Sequence, residues 1–482
     1  MPKGPQLNDI ARNFTTRDSL GIESVASSIS GEICPIVNTV TPRAFYWPFM
    51  VWIYYDFLKY SGIEEHTIKA FDAYLKRQDY FFVLATLLTP GSDQTNLVGV
   101  RQTQNDIYIN KSGMYPFNPK YFKTRYGGMQ YYNAGCLSMR FILDQDPETG
   151  VYFDFPKLTK DGERMALAFE KVIKSTQYYK KYRLFNVEVP EAVLKEYGKV
   201  INLGLVGFDE CKEILKEKLF ETKRNFKLSD SAAYIEFLSD KYGIKEFDRS
   251  NCRRMLFDYQ TPTGKEIKIR KDLETISNEW EIVIGRQYFT AGLEMIWKFM
   301  LEQLDEPLTK KQWLSRVLKE SKLEENINQP LSAIISKSIY DFDSREDMIA
   351  DGRAGEDDSA VINGLRIILS MYNHFHDRED LGDDRFFFDY GLDSNSIPFS
   401  DLFDGVNKYM NDSIKSFLVF VMDNWLIQQH YMTAFEKMLQ DRDGFYYEIV
   451  DGKYIKREDF YIDFQGIRLI QLSQVMKDLE VI

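Results

Sequence analysis

Hydrophobic residues recur at steps of three and four along most of the chain, which is the spacing of one helix face. A strong example follows Thr41, a favourable N-cap, and Pro42, which suits the first position of a helix. A kink is expected at Pro48, which lies inside the predicted helix. Its apolar positions are Phe45, Tyr46, Phe49, Trp52, Ile53 and Leu58. Similar spacing predicts further helices over 20–33, 65–77, 80–88, 129–143, 158–176, 360–374, 413–440 and 466–479.

Strand patterns are few and short. Residues 151–155 have the residue types of a strand, and 444–458 alternate around Asp451-Gly452, a pair that favours a type I′ hairpin turn. A helix, a short strand and a second helix capped by Thr159 together suggest a winged-helix-like element. The predicted class is mainly α, a multi-helix assembly with short β-hairpins that includes this element.

Changes in composition and turn-rich stretches suggest four segments. We expect an N-terminal helical domain over 1–90 and a basic, winged-helix-like domain over 91–188. A central helical domain over 189–340 and a C-terminal helical domain over 341–482 follow. The last contains the terminal hairpin, and its acidic stretch 341–359 is predicted to be a flexible linker.

Charge is distributed very unevenly along the 482 residues. The net charge is −12, and residues 341–404 alone hold 17 Asp and Glu against 5 Arg, which accounts for all of it. Residues 111–183 instead hold 13 Lys and Arg against 7 Asp and Glu. The two regions are therefore expected to contact different partners, with the acidic one as a protein-docking or self-masking element.

The basic region is the leading candidate site, because Lys and Arg neutralise phosphates and interleaved tyrosines can stack on bases. Tyr115, Tyr121 and Tyr126 are interleaved with the basic residues of the first stretch. The alternative is a winged-helix fold used for protein contacts, with solvated lysines outside. The candidate DNA-contacting residues are Lys111, Lys120, Lys123, Arg125, Lys157, Lys160, Arg164, Lys174, Lys180, Lys181 and Arg183.

Two weaker patterns point to metal chemistry. His374 and His376 stand among Asp377, Glu379, Asp380, Asp383 and Asp384, and imidazole with carboxylate suits zinc, manganese or iron. The alternative is the solvated end of a helix. Asp258, Glu266 and Lys268 on a predicted hairpin resemble the arrangement that binds Mg²⁺ in nucleases, although short charged motifs are frequent by chance.

Other chemistries lack their signatures. The chain has no GxxxxGK[ST], no GxSxG and no CxxC, and its four cysteines are scattered, as expected in a reducing cytoplasm. The longest apolar run, 44–55, is shorter than the roughly 20 residues that span a bilayer. We expect no cofactor, no secretory signal, no membrane partner and a cytoplasmic location.

One stretch resembles a known family. Leu20-Gly21-Ile22 is followed by Thr41, Arg43-Ala44, Tyr46, Phe49 and Trp52-Ile53-Tyr54. This is similar to a bacterial family of unknown function whose genes lie near helicases and other anti-phage defence genes. The chain departs from the family pattern at Pro42 and Pro48, and the motif carries no catalytic residues. The resemblance implies defence-system partners such as a helicase, an ATPase or a nuclease.

These observations predict a non-enzymatic subunit of a prokaryotic anti-phage defence complex that contacts DNA or a DNA-bound partner. A metal-dependent nuclease effector and a pure protein-interaction scaffold remain the alternatives. For Arg43 the sequence leaves two roles open, a cation–π contact or an ion pair with a buried carboxylate.

Overall fold

The computed structural model describes residues 18–60, 67–121, 131–184, 187–220, 222–321, 323, 327–354, 359–378, 381, 388–389, 396–440, 442–462 and 466–482. Side chains are described throughout these ranges except at 222–226. Helix accounts for 62% and strand for 7%, which confirms the prediction of a mainly helical chain with small two-stranded sheets. The winged-helix-like element stays a prediction.

The helices account for most of the described chain. In chain order they are α1 (Glu23–Ile33), α2 (Tyr46–Tyr60), α3 (Ile68–Leu88), α4 (Val100–Ile109), α5 (Asn133–Ser138), α6 (Lys160–Ile173), α7 (Glu191–Val200), α8 (Asp209–Leu219), α9 (Thr222–Tyr242), α10 (Arg249–Phe257), α11 (Glu274–Glu302), α12 (Lys310–Glu320), α13 (Ser332–Ile335), α14 (Phe342–Ala354), α15 (Ala360–Phe375), α16 (Phe399–Tyr409), α17 (Ile414–Phe420), α18 (Gln429–Leu439) and α19 (Arg468–Asp478). Residues Tyr178–Tyr182 and Val421–Gln428 are π-helical.

The strands form antiparallel pairs. They are β1 (Met114–Tyr115), β2 (Ile142–Gln145), β3 (Tyr152–Leu158), β4 (Val189–Pro190), β5 (Tyr447–Val450) and β6 (Lys453–Lys456). β1 pairs with β4, β2 with β3 and β5 with β6. The last pair confirms the predicted hairpin, and Asp451 and Gly452 both have positive φ, as a type I′ turn requires.

The chain forms two compact units, and each is discontinuous in sequence. Unit 1 comprises Met1–Glu32 and Ser250–Gly466, and unit 2 comprises Ile33–Arg249 and Ile467–Ile482. The division of the sequence into four segments stays a prediction.

The core of unit 2 is built around α2, whose residues from Tyr46 to Phe57 are all buried. The ring of Phe45 stacks on Phe82 of α3 at 4.7 Å and contacts Phe169 of α6 at 5.7 Å between ring centroids. Aromatic side chains bury large apolar areas, so this cluster holds α2, α3 and α6 together.

The start of α2 differs from the prediction. The helix begins at Tyr46, and the hydroxyl of Thr41 accepts a hydrogen bond from the backbone N–H of Asn38 instead of capping α2. Pro48 therefore lies in the first turn, where its missing N–H removes no helical hydrogen bond. The predicted start was therefore wrong, and Pro48 lies in the first turn of the helix and not in its interior.

The predicted helix over 129–143 is confirmed only for Asn133–Ser138, and its predicted end was wrong. Within the described residues, α5 is short, and Ile142 pairs with Leu158 at the start of a β2–β3 hairpin. Thr159 does cap α6 as predicted, because its hydroxyl accepts from the N–H of Gly162 at 3.0 Å. A Cβ atom at Gly162 would lie 2.0 Å from the carbonyl oxygen of Phe141, so only glycine fits between the hairpin and α6.

Unit 1 is organised around α11, a 29-residue helix that is buried along most of its length. It meets α15 where Gly292 and Gly364 face each other, since a Cβ on Gly364 would lie 2.5 Å from the carbonyl oxygen of Gly292. Five large side chains of this region are fully buried: Trp280, Tyr288, Leu293, Trp297 and Trp313.

The acidic stretch predicted as a flexible linker is mostly a helix. Residues 342–354 form α14, whose Phe342, Arg345 and Met348 are buried. Glu346 forms an ion pair with Arg253 of α10. Because Phe342, Arg345 and Met348 pack inward from this helix, the linker prediction was wrong for 342–354. Residues 355–358 lie outside the described residues.

Candidate functional site

The basic residues chosen from the sequence lie on several elements of unit 2. Lys111 and Lys120 flank β1, Lys157 is on β3, and Lys160 opens α6. Lys174 follows the last residue of α6, whereas Lys180 and Lys181 belong to the π-helical turn. Lys123 and Arg125 lie outside the described residues.

Seven of these lysines are exposed and have no carboxylate partner among the described residues: Lys111, Lys120, Lys157, Lys160, Lys174, Lys180 and Lys181. Other lysines of the same unit form ion pairs, for example Lys171 with Glu210 and Lys195 with Glu191. None of the seven forms an ion pair with a described carboxylate, although the charge of Lys157 contributes to the lowered pKa of Asp146, and all seven remain accessible to an anionic partner.

The two arginines differ from the lysines. Arg164 forms a two-bond pair with Glu217 at 2.7 and 3.3 Å, in which both side chains are about half exposed. Arg183 points inward, because its Nε binds the fully buried carboxylate of Asp56 at 3.1 Å. Its guanidinium also lies 3.9 Å from the ring centre of Tyr179. Arg183 thus serves the packing of unit 2, in contrast to the DNA-contacting role expected from the sequence.

Helix α3 brings two of the basic segments near each other. Arg77 donates hydrogen bonds to the carbonyls of Tyr182 and Arg183, just after Lys180 and Lys181. One turn later, the ring of Tyr80 contacts Phe117 and Tyr121, which flank Lys120. Since β1 also pairs with β4, the loop over 110–121 and the described residues 178–184 and 187–190 share one region of unit 2.

A second basic group surrounds the start of α6 and contains Lys157, Lys160 and Arg164. Lys174 lies beyond the other end of this 14-residue helix, about 20 Å away at 1.5 Å per residue. The candidate residues therefore cover a broad surface of the unit and do not form one compact cluster.

The tyrosines expected to stack on bases are buried. Tyr115 and Tyr121 are each 3% exposed, and the hydroxyl of Tyr121 binds the carboxylate of Asp79. Tyr126 lies outside the described residues. The most exposed tyrosines in the described part of unit 2 are Tyr108, at 77%, and Tyr152, at 73%, which the sequence analysis did not select. The sequence feature that could have identified Tyr108 is its position at the end of a helix whose other residues are mostly polar.

In unit 1 the second candidate group surrounds a cavity of about 620 Å³ lined by Asp258, Tyr259, Glu266 and Arg378, among others. Asp258 forms an ion pair with Arg345, and burial raises the pKa of its carboxyl despite this partner. Lys268 and Glu266 are strongly exposed, with their charged atoms 4.0 Å apart. Asp258, Glu266 and Lys268 therefore lie close to the same cavity, but Asp258 pairs with Arg345 whereas Glu266 pairs with Lys268.

Glu281 is the centre of a buried polar network next to this cavity. Its carboxylate is fully buried and binds the Nε2 of His374 at 2.5 Å, the guanidinium of Arg378 at 2.9 Å and the hydroxyl of Tyr259 at 2.8 Å. Burial alone would raise the pKa of Glu281, but the hydrogen bonds and positive charge of His374 and Arg378 lower it overall. Sequence reasoning missed Glu281, which stands 93 positions before His374.

The histidines do not form a metal site within the described part of the chain. His376 binds the neighbouring Asp377 at 2.8 Å and stacks on Tyr372, whereas His374 binds Glu281. No group of three or more His, Cys, Asp or Glu in the described ranges is arranged to hold a metal ion. Glu379, Asp380, Asp383 and Asp384 lie outside those ranges.

Comparison of the chain with protein-family models, curated proteins and solved structures finds no match in any of the three. Among the described residues, no helix is both long enough and apolar enough to cross a membrane.

Proposed function

We propose that this chain is a non-enzymatic subunit of a prokaryotic anti-phage defence complex that contacts DNA, or a partner bound to DNA, through unit 2. The observation that carries the proposal is the set of seven exposed lysines without a carboxylate partner among the described residues. Uncompensated ammonium groups attract phosphates, and the release of counterions from DNA then drives binding.

The hairpin between α5 and α6 supports a winged-helix-like mode of contact. β2 and β3 pair antiparallel between the two helices, and β3 carries Lys157. Lys160 follows directly at the start of α6. A hairpin and a helix end that both present lysines can contact neighbouring phosphates of one duplex.

The defence setting comes from the family resemblance of the N-terminal motif alone. In that setting the chain would act in the cytoplasm together with a helicase, an ATPase or a nuclease that supplies the chemistry. Co-purification of the tagged full-length chain with the products of its neighbouring genes tests this part of the proposal.

DNA binding is tested by fluorescence anisotropy on a labelled duplex of about 30 base pairs, between about 50 and 200 mM salt. For the wild-type chain we expect log K to fall steeply with log salt. In a variant with four of the lysines changed to alanine, the slope of log K against log salt should become shallower by about 3 to 4, since each neutralised phosphate contributes about 0.9 to the slope. The four are Lys157, Lys160, Lys180 and Lys181.

A control variant removes the same net charge from lysines that already have acidic partners. Its four changes to alanine are at Lys59, Lys171, Lys195 and Lys216. We expect its salt slope to stay close to that of the wild type. Equal losses in both variants would show that net charge alone matters, and a wild-type chain without salt-sensitive binding would favour the scaffold alternative.

A further inference from the structure

A cavity of about 500 Å³ lies in unit 2 next to the loop that carries Lys111 and Lys120. Aromatic rings of Tyr80, Tyr115 and Phe117 line it together with polar groups of Asp106, Asn118 and Glu188. Its volume lies in the range of pockets that take small organic groups. A cavity with aromatic walls and a few polar groups suits a flat ring that carries hydrogen-bonding edges.

Tyr108 and Ile109 stand beside this cavity at the end of α4, and Ile109 is part of its lining. They are 77% and 69% exposed and are adjacent in sequence, so this end of the helix presents two large side chains to solvent next to the cavity. The ammonium of Lys111 lies 5.4 Å from the ring centre of Tyr108 and donates to its backbone carbonyl at 3.2 Å. An exposed aromatic ring next to a cation is the pairing that single-stranded nucleic acids require for stacking and phosphate contact.

The charges around the cavity favour a base inside it and a phosphate outside it. Asp106 and Glu188 line the cavity and would repel a phosphate. The carboxylate of Asp106 already accepts hydrogen bonds from Tyr80 and Asn118. The exposed carboxylate of Glu188 is therefore the group that can accept a hydrogen bond from the amino group of a base. Lys111 and Lys120 are exposed outside it, where they can neutralise phosphates. A base would therefore enter, and the backbone would stay at the edge.

We infer that this cavity binds one unpaired base of single-stranded DNA, with Tyr108 stacked on the adjacent base and Lys111 and Lys120 near the flanking phosphates. The inference rests on the proposed function and narrows its ligand from DNA to unpaired DNA. Bases inside a duplex are stacked on their neighbours and cannot enter such a cavity unless they leave the stack.

The experiment measures binding of a single strand of about 30 nucleotides and of its duplex at one salt concentration. We expect the wild-type chain to bind the single strand more tightly. Tyr108→Ala should weaken binding of the single strand by about 5-fold or more, as expected for one lost stacking partner, and leave duplex binding unchanged. Tyr108→Phe should restore it, because the stacking ring remains. Tyr461→Ala is the control and should leave both forms of binding unchanged, since Tyr461 is 75% exposed but belongs to unit 1.

Photocrosslinking locates the base. A single strand that contains 5-iodouracil, irradiated with the full-length chain, should attach to the peptide that covers 100–121. Attachment only elsewhere, or equal binding of both DNA forms with no effect of Tyr108→Ala, overturns the inference and leaves the proposed function standing. If neither DNA form binds in a salt-dependent way, both the inference and the proposed function fail.

Discussion

The buried guanidinium of Arg43 in unit 2 offers a sharp test of the packing described above. Its Nε lies 3.0 Å from Oδ2 of Asp478, and its Nη1 lies 2.6 Å from Oδ2 of Asp93. Arg43 and Asp478 are 1% and 3% exposed, whereas Asp93 is 45% exposed. Of the two roles considered for Arg43, the structure shows the ion pair with a buried carboxylate.

Replacing Arg43 with methionine keeps much of the side-chain volume and removes the charge. The Asp478 carboxylate would keep hydrogen bonds from the N–H of Ala44 and the amide of Gln474, but it would lose its cation. Removing one partner of a buried ion pair costs about 3–5 kcal/mol. We expect Arg43→Met to lower the free energy of unfolding by that amount at pH 7, as measured by urea denaturation followed by tryptophan fluorescence.

The loss should depend on pH with a defined sign. Burial raises the pKa of Asp478 above its unfolded value, and Arg43 opposes this effect. An acid with a raised pKa in the folded state costs stability above that pKa, and the cost disappears below the unfolded pKa of about 3.9. Without Arg43 the pKa rises further, so the difference between variant and wild type should shrink as the pH falls from 7 towards 4.

Two further variants complete the test. Arg164→Met removes an arginine whose partner Glu217 is 55% exposed, and it should cost less than about 1 kcal/mol. Arg43→Met combined with Asp478→Leu removes both buried charges and should recover most of the lost stability. A loss below about 1 kcal/mol for Arg43→Met, or a pH-independent loss, would refute the reasoning.

Three other outcomes are expected. His430 is fully buried, and burial lowers its pKa to about 4. The free energy of unfolding of unit 1 should therefore fall by about 3 kcal/mol as the pH falls from 6.5 towards 4, as measured by urea denaturation at several pH values. His430→Gln should remove most of this pH dependence. Gly162→Ala should lower the melting temperature, because its Cβ would meet a carbonyl oxygen, whereas Gly204→Ala, which meets no atom closer than 3.9 Å, should change it little. All four cysteines are buried, and burial raises the pKa of Cys34 to about 12. A thiol reagent should therefore label none of them in the folded chain and all four in denaturant. Rapid labelling of the folded chain would contradict the packing.

Features set by neighbouring residues could be predicted from the sequence. The cap at Thr159 and the hairpin turn at Asp451 depend on residues a few positions apart, and both are present. Buried helices such as α15 were also predicted, because a continuous apolar face leaves few alternatives.

Features set by distant partners could not be predicted. Residues 129–143 have helical spacing, but the pairing of Ile142 with Leu158 ends the helix and starts a strand. Arg183 was expected on the surface, yet its partner Asp56 lies 127 positions earlier and holds it inward. Exposure of the lysines followed from their charge, whereas burial of Tyr115 and Tyr121 depended on contacts with other parts of unit 2.

The pairing of Arg43 with Asp478 also bears on how the protein is made. The two residues are 435 positions apart, so at translation rates of about 5–20 residues per second Asp478 is synthesised about 20–90 s after Arg43. During that time the half-exposed carboxylate of Asp93 is available to Arg43, but the buried carboxylate of Asp478 is still missing. Unit 2 can reach its final packing only after α19 has left the ribosome, which makes the completion of its core a late event in synthesis.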